Sequence, residues 1–392
     1  MTRILMLAPT PFFSDRGCHV RIYEEARYLE SRGHDVVILT YPLGSDPDGL
    51  KVLRARAVSR YRRTEAGPAW GRLYLDALVL AKAWGVAREF RPDLIHAHLH
   101  EGALIGRILA ARFKAPLLFD YQGSLTRESV DHGFIRERGI MARAFRAVEG
   151  WIDRGADRVV VSAGALAGPL AARGIEATAV PDGVDPARFA PGPGEPGLSR
   201  ELGLPAQTPV ALYLGVLSGY QGTDLILKAA RLLRDQGERV HFLVMGYPEA
   251  QFKAEAERAG LADCVTFTGR VDYFEAARYL RLGTVALAPK LSRTEGNGKL
   301  LLYMACGLPV AAFDLPVNRE IMGDAAEWVE AGPDRDECAR GLARAVARLL
   351  HDRERAAELA AAGRRRVEAE FSMEAAGRRL LAVYAELLEA RK

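Results

Sequence analysis

The stretch TEGNGKLLLYMACGLP, residues 294–309, sets Thr294, Glu295, Gly296, Asn297, Gly298 and Lys299 directly ahead of a helical pattern. Glycine lets a ligand approach the backbone. A helix start offers unbonded N–H groups and a partial positive charge. Lys290 and Lys299 flank the loop, so the composition suits a phosphate-bearing or sugar ligand. The stretch holds a single carboxylate, Glu295, and the positions eight residues on from Thr294 and Glu295 are Leu302 and Tyr303.

Four other segments carry comparable chemistry. YLGVLSGYQGTDLILKA (213–229) runs from a strand pattern through Gly215, Gly219 and Gly222 into a helix, with Gln221 as the polar side chain and no cation. TPFFSDRGCHVR (10–21) offers Gly17 for close approach, with Arg16, His19 and Arg21 nearby. HAHLHE (96–101) has histidines at period two, which puts His96 and His98 on one face of a strand. No carboxylate or cysteine cluster with ligand spacing follows them, so a polar strand end is favoured over a metal site. FDYQGSLTRE (119–128) ends another strand with Asp120, Gln122 and Gly123. The DxD triplets Asp46/Asp48 and Asp334/Asp336 lie in Pro-bearing turns and read as solvated acids. No Ser/His/Asp or Cys/His nucleophile arrangement can be assembled from the sequence.

These segments need a scaffold that holds them at strand ends. RILMLA (3–8), DVVILT (35–40), DLIHAH (93–98), PLLFD (116–120) and RVVVS (158–162) read as buried strands with helical patterns between several of them. A linker dense in Pro and Gly follows at 185–209. Its PGPGEPG does not follow a strand and is no nucleotide fingerprint. A second series comprises VALYLGV (210–216), VHFLVMG (240–246), CVTFTG (264–269), TVALAP (284–289) and PVAAFD (309–314). Residues from about 334 onward read as helical throughout. Strands alternating with helices imply parallel sheets covered on both faces. Ligands then sit beyond the carboxyl ends of the strands, where the five segments fall. With two such domains, a site in the cleft between them is expected.

The bulk properties agree. The chain has 392 residues, enough for two or three domains, with ordinary soluble composition at 49% hydrophobic and 27% charged. No apolar run reaches the ~18 residues that span a bilayer, and MTRILMLAP lacks a signal-peptide cleavage site, so a cytoplasmic protein is expected. Cys18, Cys264, Cys306 and Cys338 are scattered, which argues against disulfides and zinc. The net charge is +4, but residues 51–91 hold ten Lys/Arg against three acids. With Tyr61, Trp70, Tyr74 and Trp84 interleaved, this segment suits either a solvated outer face or peripheral contact with an anionic membrane. No nucleic-acid recognition module is present, so no nucleic-acid partner is expected.

Several anchors in one order carry a resemblance over essentially the whole chain. They are SRGHDVVILT (31–40), RPDLIHAHLHEGAL (91–104), VPDGVDPARFAP (180–191), VTFTGRVDYFEAARYL (265–280) and YMACGLPVAAFD (303–314) with Arg319-Glu320-Ile321. The chain resembles the family-4 retaining glycosyltransferases of the GT-B fold (glycosyl transferase group 1). The resemblance implies an α/β architecture of two doubly wound Rossmann-like domains facing across a cleft, with C-terminal helices. It places an acceptor-side domain at 1–188, a nucleotide-sugar donor domain at 189–370, and a C-terminal helix at 371–392 that packs back on the first domain. It implies transfer from a nucleotide-sugar to a carbohydrate or lipid-linked hydroxyl with retention, in cell-surface glycan or glycolipid synthesis. Neither cofactor nor metal is implied, so charge on the departing diphosphate falls to basic side chains and helix starts.

Residue by residue, the resemblance assigns Gln122, Glu295 and Lys290 to catalysis. Gly17, Gly215, Gln221, Lys290, Thr294, Glu295, Gly296, Asn297, Gly298, Lys299 and Glu320 fall to the donor, and Arg16, His19, His98 and Asp120 to the acceptor side. The chain departs from the family pattern at four places. The Arg and Lys that meet the diphosphate fall on Val216 and Gln221, and the family histidine falls on Gln122. The Glu-x7-Glu pair falls on Thr294 and Leu302 or, one residue on, on Glu295 and Tyr303. Asp182 replaces the interdomain Asn. Lys290 and Lys299 are the candidates to replace the lost cations. A catalytically silent GT-B binding or scaffold protein is the alternative, and a sugar-nucleotide epimerase is disfavoured by the GVDPARF and MACGLPV anchors.

Overall fold

The structure, a computed structural model, describes residues 1–14, 17–57, 70–131, 134–293 and 295–390. It contains two units. One is Met1–Gly183 with Thr294–Gly296 and Met373–Lys392; the other is Val184–Arg293 with Asn297–Ser372. The units divide at 183/184 and again at 372/373.

The first unit runs β1 (Arg3–Ala8), α1 (Gly17–Ser31), β2 (Asp35–Thr40), β3 (Val52–Arg54), α2 (Trp70–Phe90), β4 (Leu94–His98) and α3 (Leu99–Phe113). It continues with β5 (Leu117–Tyr121), α4 (Leu125–Asp131), α5 (Ile140–Asp153), β6 (Arg158–Val161), α6 (Ala167–Ala171) and β7 (Ala177–Ala179). The seven strands lie in the order β3-β2-β1-β4-β5-β6-β7, all parallel. The apolar runs of β1, β4 and β5 are buried along nearly their whole length, because helices cover both faces. The order reverses between β1 and β4, so the crevice of this sheet opens there.

The second unit runs α7 (Pro196–Glu201), β8 (Val210–Leu214), α8 (Thr223–Asp235), β9 (His241–Met245), α9 (Ala250–Arg258), β10 (Val265–Gly269) and α10 (Ala276–Leu280). Then follow β11 (Val285–Ala288), α11 (Lys299–Ala305), β12 (Val310–Phe313), α12 (Pro316–Met322), β13 (Glu327–Val329), α13 (Arg335–His351) and α14 (Arg353–Arg366). Its six parallel strands take the order β10-β9-β8-β11-β12-β13, reversing between β8 and β11. Its core joins Tyr213, Phe242, Leu287 and Phe313 to the inner faces of α8 and α13.

The last helix, α15 (Met373–Glu389), belongs to the first unit and packs on α1. Gly377 permits that contact, since a Cβ there would lie 2.2 Å from the Tyr28 ring. Strands β3, β7 and β13 escaped the sequence reading. Each has three residues and sits at a sheet edge, where half-exposure leaves no apolar run to detect. The Asp334 of one DxD triplet caps α13, accepting from the Asp336 and Glu337 N–H groups. In the other, Asp46 pairs with Arg54.

Candidate functional site

In the first unit the parallel register sets His98 directly opposite Asp120 at the ends of β4 and β5. Asp120 Oδ2 then accepts from three groups: Arg21 Nε at 2.9 Å, Gln122 Nε2 at 2.7 Å, and the His98 ring at 2.9 Å through Nδ1. Arg21 comes from the first turns of α1 and also pairs with Asp182 Oδ1 at 2.8 Å and with Glu25 Oε1 at 3.2 Å. Asp182, the departure from the family Asn, thus supplies a second carboxylate to this arginine.

Burial dominates the electrostatics of this cluster. It would raise the Asp120 carboxyl, but Arg21 and the His98 hydrogen bond hold it well below the usual carboxylate range. Glu25, equally buried, is pushed up to about 8 against the opposing pull of Arg21. Burial lowers both His96 and His98, which favours their neutral forms, and the His96 Nδ1 is 2.8 Å from the Tyr384 hydroxyl of α15. Glu25, His96, His98 and Asp120 offer ligand atoms within 4.8 Å of one another. The positive charge among them is already supplied by Arg21, so an added cation would meet like-charge repulsion.

The predicted residues His98, Asp120 and Gln122 are therefore brought together. Arg16 lies outside the described residues. His19 is buried and tied into its own loop, accepting from the Ser14 N–H at 3.0 Å through Nδ1 and meeting Thr10 Oγ1 at 2.6 Å through Nε2. Gly17 opens α1 at the surface, and a Cβ there would meet nothing within 4 Å. A second buried cluster supports the loop beyond Gln122. Glu149 of α5 accepts from Ser124 Oγ at 3.1 Å and from Thr126 N and Oγ1 at 3.0 and 2.6 Å, while Arg173 pairs with it at 3.1 Å.

In the second unit the two glycine loops converge at the reversal between β8 and β11. Leu291 N donates to Tyr220 O at 2.9 Å. Gly222 has φ 77°, and a Cβ there would stand 2.2 Å from Pro289 O. Lys299 Nζ donates to Gln221 Oε1 at 2.8 Å and to the Tyr213 hydroxyl at 3.1 Å. It also lies 4.4 Å from the Tyr213 ring centroid, a cation–π contact. Gly215, with φ 149°, leaves room for this ammonium, which would come within 3.0 Å of any Cβ. A lysine from α11 thereby reaches the side chain that stands in the family lysine's position.

The remaining donor candidates divide. Lys290 is buried where β11 ends. Asn297 is buried and donates to Asn318 Oδ1 at 2.8 Å, and Asn318 donates in turn to Phe313 O, which pins the loop to β12 and α12. Glu295, Gly296 and Gly298 are half-buried, as is Glu320 on α12. Thr294 lies outside the described residues. Tyr303 points into the core, where its hydroxyl accepts from Leu214 N at 2.7 Å, so it cannot stand for a missing acid; Leu302 is the half-exposed residue. Missed by the sequence reading were Glu25, Glu149 and Tyr384. Each sits within a helical pattern, where a polar residue reads by default as solvated.

Within the basic segment, residues 58–69 lie outside the described residues. Arg54 is committed to the backbone, donating to Leu43 O and Phe12 O at 2.6 Å. Leu73, Tyr74 and Trp84 of α2 are exposed. Among the described residues no helix is long and apolar enough to cross a membrane.

Two Rossmann-like units, each with polar side chains gathered where its strand order reverses, have the architecture of the GT-B fold. The glycosyl transferase 4-like domain family matches residues 16–183, and the glycosyl transferases group 1 family matches residues 196–366. The D-inositol 3-phosphate glycosyltransferase of Kineococcus radiotolerans is 28% identical over 96% of this chain and 91% of its own. Sucrose-phosphate synthase from Thermosynechococcus elongatus superposes with a TM-score of 0.82 at 21% identity, over 100% of both chains. Anabaena HepE, solved in complex with UDP-glucose, superposes at 0.77 with 16% identity, over 98% of this chain and 100% of its own. The chain belongs to the family-4 glycosyltransferases and is an enzyme of glycosyl transfer.

Proposed function

We propose that this enzyme transfers a sugar from a nucleotide-sugar donor to an acceptor hydroxyl with retention at the anomeric carbon, without a divalent metal. The bond from the anomeric carbon to the diphosphate breaks, and a bond to the acceptor oxygen forms on the same face. The acceptor proton passes to the departing diphosphate. Such chemistry asks the protein for position and for positive charge where negative charge develops.

The observation that carries this reading is the reach of Lys299 Nζ to within 2.8 Å of Gln221 Oε1, beside Gly215. Val216 and Gln221 have lost the family's cations, and Lys299 returns one to the same loop from a different element. Lys290 is the second candidate charge. Glu295 then serves the sugar hydroxyls. On the acceptor side, the buried Asp120, paired with Arg21, fixes the Gln122 side chain, and half-buried Gln122 is the group to meet a hydroxyl of a carbohydrate or lipid-linked acceptor. HepE's complex with UDP-glucose supports a nucleotide-sugar donor. Synthesis of a cell-surface glycan or glycolipid at the cytoplasmic side fits such a pair of substrates.

Calorimetric titration with UDP-, GDP- and ADP-sugars tests the reading. One donor should bind the natural chain, and Lys299→Ala should weaken it by roughly tenfold to a hundredfold, the worth of a charge-assisted contact to phosphate. Equal affinity in both proteins would overturn the assignment. Leu302, half-exposed where the family holds a ribose-binding acid, favours a second reading: a silent binding protein. Donor binding with neither hydrolysis nor transfer would support that one instead.

A further inference from the structure

Helix α5 turns its two acids inward. Glu149 and Asp153 share one helix face and are each 1% exposed, while Ile140 and Trp151 face solvent. Helix α5 packs on α3, and the first turn of α3 brings His100, 5% exposed, against the same acids. His100 Nε2 lies 3.3 Å from Asp153 Oδ1. Both atoms are buried, and neither has a hydrogen-bond partner. Buried polar atoms left without a partner are rare and call for an explanation. His100, Glu149 and Asp153 offer ligand atoms within 4.8 Å of one another. The sequence alone favours a polar strand end at HAHLHE, because no carboxylates follow at ligand spacing. The fold brings them in from α5.

Geometry and charge select the occupant. A hydrogen bond between imidazole and carboxylate would close the pair to about 2.9 Å. Two ligands held tetrahedrally by a zinc-class ion, at about 2.0–2.1 Å each, stand roughly 3.3–3.4 Å apart. The observed separation fits the second case. An imidazole nitrogen with carboxylate oxygens is a donor set for divalent transition ions, whereas magnesium and calcium take oxygen. Two carboxylates face one guanidinium, Arg173, so with neutral histidine the cluster keeps one negative charge. Arg173 is not the obstacle that Arg21 is to the other cluster. Its side chain is 31% exposed and takes Asp153 by Oδ2, leaving Oδ1 to the site, whereas Arg21 is 3% exposed among its carboxylates. Glu149 Oε2 is spent on Ser124 and Thr126, so Oε1, which also meets Arg173 at 3.1 Å, is the oxygen left for the ion.

We propose that His100, Asp153 and Glu149 form a binding site for one divalent transition-metal ion of the zinc class. The site is structural: the ion ties the start of α3 to α5, whose Glu149 holds the loop beyond Gln122. No step of the proposed transfer passes through it. The inference is independent of the sugar-transfer reading, because metal binding needs neither donor nor acceptor.

The full chain, stripped with a chelator and then freed of it, is titrated with zinc chloride in a calorimeter and with cobalt chloride in a spectrophotometer. The natural chain should bind one equivalent of zinc with a dissociation constant of about 1 μM or below. Cobalt should give the strong visible bands of a tetrahedral ion, and zinc should raise the unfolding midpoint. His100→Gln and, separately, Asp153→Asn should each weaken zinc binding roughly a hundredfold or more. His98→Gln, in the other histidine cluster, should leave it unchanged. Circular dichroism verifies that the variants fold, and the titration of the natural chain needs no variant. Three results overturn the proposal: no stoichiometric binding to the natural chain; undiminished binding in both His100→Gln and Asp153→Asn; or binding lost in His98→Gln and retained in His100→Gln, which moves the ion to the Glu25 cluster.

Discussion

At the residue scale, Glu25 is the group whose protonation can be followed from outside the site. It faces Arg21, Asp120, Asp182 and Tyr384, and its burial raises its carboxyl from 4.5 to about 8. In the unfolded chain it gives up its proton near 4.5. Between those values the folded state binds more protons, so this group's contribution to stability falls as pH rises and levels off above about 8. Glu25→Gln cannot ionise and escapes that fall. The stability of the variant relative to the natural chain should therefore increase from about pH 5 to about pH 8, by on the order of a few kcal/mol, and then stay level. Urea unfolding at several pH values measures it, and a flat difference would mean that Glu25 ionises normally. Asp120 and His98 were legible because strand-end polar residues at a sheet's reversal point stand out. Glu25 was not, because the carboxylate's burial comes from α15, over three hundred residues on in sequence, whose Tyr384 closes the cluster through His96.

At the element scale, the loops rather than the strands hold most of the candidate site residues. The apolar runs predicted ten of the strands to within a residue or two, because full burial on both faces leaves an uninterrupted signal. The loops carry weaker marks, and their packing shows which glycines are obligatory. At Gly222 both the left-handed φ of 77° and the 2.2 Å approach to Pro289 O forbid a side chain. Gly17, by contrast, borders open space. Gly222→Ala should cost about 1–3 kcal/mol by urea unfolding, through strain and displacement of the β11 loop. Gly17→Ala should change stability by less than about 0.5 kcal/mol. If Gly17 instead serves as a point of donor approach, its alanine variant will lose nucleotide-sugar affinity while unfolding at the same urea concentration. The inverted polarity of α5 was also present in the letters, yet IMARAFRAVEGWID reads as an ordinary amphipathic helix until the structure shows which face is inside.

At the scale of the whole molecule, the two units divide the proposed work, which makes a ligand's effect attributable. The Lys299–Gln221–Tyr213 constellation belongs entirely to the second unit, and the Asp120–Gln122–His98 constellation entirely to the first. A nucleoside diphosphate lacks the sugar and the acceptor, so it should draw on the former alone. Bound at about a hundred times its dissociation constant, it stabilises the folded state by about 2.7 kcal/mol through mass action. For folding units of this size that corresponds to a rise of roughly 5–10 °C in the unfolding midpoint. The rise should persist in Gln122→Ala, because that side chain contributes only to the first unit's carboxylate site. It should shrink to about half or less in Lys299→Ala, where a tenfold to hundredfold weaker affinity leaves roughly 1.4 to 0.4 kcal/mol at the same concentration. Differential scanning fluorimetry of the three proteins with and without UDP reads this directly. A rise lost in Gln122→Ala and retained in Lys299→Ala would reverse the roles assigned to the two units. Loss in Lys299→Ala alone locates the diphosphate at the β8–β11 reversal and leaves the Asp120 cluster for the acceptor.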